Sequence, residues 1–224
     1  MSIQMINKWR ERKQIAPLHL SIVFAFITGA IIILTIGLAE AAITGYYKEV
    51  YRLSLPLAYT MVVIANVFLY LFAINITDKG KSAFIPVVII GIVIIILLFL
   101  PWNWWGVPPE DYAGKLNTRL YTNIAFIAFS YVIYITIAVI CHGTKKKTDD
   151  IIARMGLKLL FYSMISLILY FLMILFDNFM IVLYSHPGYS EFVYIAWIFA
   201  MLFLILTYLS LVMPSWLVKR IKKE

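Results

Sequence analysis

One cysteine, Cys141, and three separated histidines, His19, His142 and His186, are the whole supply of thiol and imidazole ligands in 224 residues. A single thiol closes no internal disulfide, and neither an HExxH motif nor any other zinc- or haem-type spacing occurs. There is no G-x-S-x-G and no glycine-rich phosphate loop, so serine hydrolysis and nucleotide-driven chemistry lack their residues. Asp177 is the one clear carboxylate inside an apolar run, which leaves an aspartyl dyad without its second member. A retinal Schiff base needs a lysine deep in such a run, and Lys158 sits only at an edge. The expectation is a protein that is not an enzyme and that holds no cofactor and no metal. Charge is scarce too: 13% of residues, about half the share of a soluble domain.

What is abundant is apolar sequence, 63% of residues at a mean hydropathy of +0.93. It gathers into six runs, at about 17–40, 53–76, 83–100, 120–141, 159–184 and 192–213. Each is near or above the roughly 20 residues that cross a bilayer as a helix. The segments between them are too short for a soluble domain. A transmembrane barrel would show short stretches of strict alternation, which residues 87–100 do not. The fold class expected is therefore all-α, a polytopic bundle of six transmembrane helices forming one transmembrane domain over 1–224. The first run follows basic residues and ends in Ala39-Glu40-Ala41, as a signal peptide does. At 23 residues it exceeds the 7–15 of a signal core, which favours an uncleaved helix.

Lysine and arginine set the orientation. With both termini cytoplasmic, only Lys48, Arg52, Lys115 and Arg119 fall on the outer side, and the other fifteen of nineteen fall inside. The net charge of +8 is then a topology and anionic-lipid signal, and nucleic acid is excluded as a partner. The expected partners are membrane lipids, with a cytoplasmic or membrane protein or a second copy of the chain beside them. Residues 1–14, with Ile3, Ile6 and Trp9 among bases, suit an amphipathic helix on the inner leaflet.

In a membrane bundle, polar or small residues at helical spacing mark a packed side. The first run carries Ser21, Ala25, Thr28 and Thr35, with Ala25 and Gly29 as a small-xxx-small pair. The second places Tyr59, Asn66 and Tyr70 on one face, because intervals of seven and four residues nearly repeat the angle. The fourth aligns Arg119, Asn123, Ser130, Tyr134 and Cys141, the fifth Ser163, Ser166, Tyr170 and Asp177, and the sixth Tyr194, Met201 and Tyr208. The third, apolar from Val87 to Leu100, is expected at the lipid-facing periphery. Such stripes arise from ordinary inter-helix hydrogen bonds or from a polar cavity.

Asp177 is the most informative residue, since an ionisable group in a membrane helix needs a partner or water. Arg119, at a matching height on the fourth run, is its expected partner, as a clasp or as part of a ligand site. Glu40 ends the first run on the same side, and the aromatic outer loop 101–111, with Trp104, suits a lid for an apolar or cationic ligand or an interfacial anchor. A ligand site is thus sketched by Arg119, Asp177, Tyr170, Asn123, Glu40 and Trp104. A transport path would use Asn66, Tyr134 and Tyr170 instead. Pro56 and Pro86 interrupt helices as transporters do, but no repeat relates runs one to three with four to six.

The end of the last run, Met213-Pro214-Ser215-Trp216-Leu217-Val218-Lys219-Arg220, resembles the exit from the multi-helix membrane sensor region of archaeal and bacterial histidine kinases. There a Pro-x-Trp-Leu followed by bases leads into the cytoplasmic output. The likeness covers fewer than ten residues, the chain reaches Glu224 without a kinase, and six helices stand where seven are usual. The resemblance implies a stand-alone input module that signals through a partner. The functional expectation is a non-enzymatic, sensor-like or partner-binding membrane protein with a ligand pocket in its outer half, whose ligand shifts the last three helices. The alternatives are a small transporter or channel subunit, and a structural or assembly subunit with a filled interior.

Overall fold

The computed structural model describes residues 3, 6, 10, 15–44, 49–77, 80–100, 119–184 and 190–221. Among them there is helix and no strand: α1 (Ile15–Thr44), α2 (Glu49–Thr77), α3 (Phe84–Leu98), α4 (Arg119–Lys145), α5 (Ile151–Tyr184), α6 (Glu191–Val212) and the short α7 (Ser215–Ile221). Six of these are long and apolar enough to cross a membrane. The loop with Trp104, most of the N-terminal segment and His186 lie outside the described residues.

Helices α1, α2, α4 and α5 run past their apolar stretches. Helix α5 starts at Ile151 rather than near 159, because Asp150 Oδ1 accepts the Ile152 N–H at 3.0 Å and caps the first turn. Arg154 and Lys158 are simply exposed on its early turns. A hydropathy run stops at the first charge, whereas a helix stops where its backbone groups find other partners.

The chain forms two compact units, Met1–Ser130 and Tyr131–Glu224, and α4 contributes its first part to one and the rest to the other. In the first unit α1 lies along α2, and α3 returns against α2. The side of α1 that packs is apolar, Leu20, Val23, Phe24 and Ala30, with Gly29 against the Met61 sulfur. This corrects the expected stripe, since Ala25, Thr28 and Thr35 are exposed and only Ser21 is buried. Thr35 Oγ1 donates to the Ile31 carbonyl at 2.7 Å, so it asks nothing of a neighbouring helix. Helix α3 turns Ile85, Ile89, Ile92, Val93 and Ile96 outward, in keeping with a peripheral position.

Between α2 and α3 the chain reverses at Gly80, whose φ of 82° is left-handed. Tyr70 Oη donates to the Gly80 carbonyl at 3.0 Å, and a Cβ at Gly80 would stand 2.8 Å from that hydroxyl. Gly80→Ala is expected to cost about 2 kcal/mol, from left-handed strain and the lost tyrosine bond together, read as a fall in chemical-denaturation midpoint. Tyr70→Phe, which loses only the bond, is expected to cost about 1 kcal/mol by the same measurement.

In the second unit α5 and α6 form an antiparallel hairpin fastened near both ends. At one end Ser190 bonds Asp177, and at the other Ser210 Oγ donates to the Gly156 carbonyl at 2.8 Å. Residues 156 to 177 on α5 match 190 to 210 on α6 almost one for one, so the pair keeps register over about 30 Å, the thickness of a bilayer core. The face of α6 that packs is Ala196, Phe203, Thr207 and Ser210. The expected stripe is corrected here as well, because Tyr194 and Met201 are 71% and 55% exposed. Ala196, Thr207 and Ser210 admit the close approach of α5, and Phe203 packs between them.

Candidate functional site

The strongest chemical feature is the carboxylate of Asp177, only 3% exposed two turns before the end of α5. Its Oδ1 accepts two hydrogen bonds from Ser190, one from the backbone N–H and one from Oγ–H, both at 2.7 Å. Ser190 is the N-cap of α6, in extended conformation, and is 1% exposed. Its hydroxyl makes no cap bond to its own helix and reaches for Asp177 instead. A negative group is thereby held at the positive end of the α6 macrodipole, where backbone donors are unsatisfied by the helix itself. The rings of Phe176, beside Asp177, and Phe192, two residues after Ser190, pack 5.4 Å apart.

Of the residues proposed from sequence, Tyr170 lies on α5 about 10 Å along the axis from Asp177, with its ring edge-on to Phe171 at 4.9 Å. Asn123 is buried on α4, and Glu40 is half-buried near the end of α1. Arg119 opens α4, but its side chain, and with it the expected pairing to Asp177, lies outside the described residues, as does Trp104. Ser190 was missed. A serine directly before Glu191 and an apolar run is an N-cap signature, so its position was readable, but its bond to Asp177 was not.

The residues proposed for a transport path are engaged with neighbours. Asn66 Nδ2 donates to Ser130 Oγ at 2.9 Å, and Ser130 Oγ–H donates to the Phe126 carbonyl at 2.9 Å. Beside them Tyr59 stacks on Phe126 at 4.8 Å. Tyr134 stacks on Phe171 at 5.9 Å, and Tyr131 Oη donates to the Ile168 carbonyl, joining α4 to α5. Ser163, Ser166 and Asn178 turn onto carbonyls of their own helix. Buried side-chain atoms lacking a hydrogen-bond partner among the described residues are the hydroxyls of Thr60 and Thr207. Ser130→Ala is expected to lower stability by about 1 kcal/mol, measured by denaturant titration in micelles, because the Asn66 amide loses an acceptor in an apolar setting.

The opposite end of the hairpin is basic. Arg154 Nε and Nη2 both donate to the Thr148 carbonyl, which closes the α4–α5 turn. Met213 takes a left-handed φ of 48°, Pro214 follows, and α7 begins at once. No group of three or more possible metal ligands occurs among the described residues.

No family model, no curated protein and no solved structure matches this chain.

Proposed function

We propose that the chain is a non-enzymatic, sensor-like input module of the cell membrane, with both termini cytoplasmic, that passes a change in its outer half to a partner. The bias of lysine and arginine toward one side supports that orientation. The observation that carries the reading is the buried Asp177 carboxylate holding the start of α6, a helix whose other end runs within two residues into α7. A ligand offering a cation or donors to Asp177 competes with Ser190 and loosens the outer end of the hairpin. The inner end, with its Pro214 corner, then carries the shift. Such coupling requires that the ligand bind the two arrangements with unequal affinity.

A second reading, a structural or assembly subunit, is favoured by the serines and Asn178 that spend their hydrogen bonds on their own helix. One experiment separates the two. Thermal stability of the purified chain is measured against a panel of lipids and small metabolites, for wild type and Asp177→Asn together, since a ligand of the folded state raises its stability. A stabilising compound whose effect disappears in Asp177→Asn supports the sensor. No stabilisation at saturating concentrations removes it in favour of the structural subunit.

A further inference from the structure

The short helix α7 has two unlike sides. At 100° per residue Leu217, Val218 and Ile221 share one side, and Lys219, Trp216 and Arg220 share the other. The structure orients it accordingly: Ile221 is buried, Leu217 and Val218 are half-buried, and Trp216, Lys219 and Arg220 are exposed. Helix α7 packs against α5, and the Met213 methyl reaches within 3.0 Å of where a Gly156 Cβ would stand. The corner is thus seated on the first turns of α5. Exposed on that same stretch of chain are Lys146, Lys147 and Lys158. Among the described residues no ion pair engages these three lysines, Lys219 or Arg220.

Position completes the argument. Two residues separate α7 from the end of an apolar, bilayer-length helix, and the Ser210–Gly156 contact fixes that end against α5. Helix α7 therefore cannot leave the bilayer boundary. An outward tryptophan flanked by two cations matches the headgroup layer, where an indole sits with its apolar body in and its N–H at the polar level while cations meet phosphates. We propose that this end of the second unit is a docking surface for anionic phospholipid, with Trp216 seated among the headgroups and Lys219, Arg220, Lys146, Lys147 and Lys158 facing their phosphates. The inference rests on reading the chain as membrane-embedded and not on any ligand response at Asp177.

The test uses the full chain in micelles titrated with phosphatidylglycerol or phosphatidylcholine, with retained lipid counted by native mass spectrometry at low and high salt. Wild type is expected to prefer phosphatidylglycerol by at least roughly tenfold at low salt, and to lose that preference at high salt. The Lys146→Gln, Lys147→Gln, Lys219→Gln, Arg220→Gln variant is expected to lose that preference at low salt. Its melting temperature in phosphatidylcholine should match wild type. Equal affinity for the two lipids in wild type, or an undiminished preference in the variant, overturns the proposal and leaves these charges as orientation signals alone. Competition by soluble glycerol phosphate, or capture of an acidic protein without any lipid preference, overturns it also. A lipid preference kept alongside no response in the Asp177 experiment removes the sensor reading and leaves the docking surface standing.

Discussion

Replacing Asp177 by alanine is expected to lower the stability of the protein by about 3 kcal/mol, the largest effect of any single side chain in the hairpin. Two bonds of 2.7 Å to a charged acceptor are lost, and their donors stay behind in a position 1% exposed to solvent. Hydrogen bonds to charged groups are worth about 1.5–3 kcal/mol each, and a stranded backbone N–H adds its own desolvation cost. Part of this is recovered because the buried carboxylate no longer has to be desolvated. For a chain of this size such a loss lowers the melting temperature by about 6–12 °C. Asp177→Asn keeps one acceptor and is expected to cost about 1 kcal/mol. Amide exchange should rise at Ser190 and through the first turn of α6 in the alanine variant, and stay near wild type at the Ser210 end.

Gly156→Val is the second large effect, expected at about 2–3 kcal/mol. A Cβ at this position meets the Met213 methyl at 3.0 Å and the Ser210 carbonyl at 3.3 Å. The methionine tip can swing aside, but the carbonyl belongs to the backbone of α6 and moves only with the helix. A branched side chain forces that movement and breaks the Ser210 Oγ bond to the Gly156 carbonyl. Gly156→Ala should come out near neutral. The roughly 1 kcal/mol that alanine gains over glycine in a helix offsets the small displacement it imposes. The same comparison has a positional readout, since valine should unseat the α7 corner and shift Trp216 emission, whereas alanine should leave it unchanged.

The six long helices were legible because apolar length alone announces them, and the polar faces were legible only in part. Asn66 and Tyr134 were rightly read as inward-facing, and both are too large and too polar to be satisfied cheaply on a lipid face. Thr28 and Thr35 were misread because a threonine hydroxyl can close onto its own helix, as Thr35 does on Ile31, and can then face any direction. On α6 the eye falls on Tyr194 and Met201, yet small residues decide where two helices approach, and Ala196 and Ser210 make that face. Helix α7 is too short for periodicity to reveal, although its proline, tryptophan and bases were noticed. The bond of Asp177 to Ser190 was hidden for a different reason. A buried carboxylate suggests a cation such as Arg119, and nothing in composition says that a helix N-terminus thirteen residues on supplies it with two donors.

The central claim is that the Asp177 carboxylate is held by Ser190 and so fixes the start of α6. A double-mutant cycle with Asp177→Asn and Ser190→Ala, each read by equilibrium unfolding in the same micelle, tests it most directly. A coupling of about 0.5 kcal/mol between the two positions is the expected result, because Ser190→Ala removes the hydroxyl donor and leaves the backbone N–H bond to position 177 in place. Strictly additive effects, with Asp177→Asn costing the same whether or not the Ser190 hydroxyl is present, would contradict it.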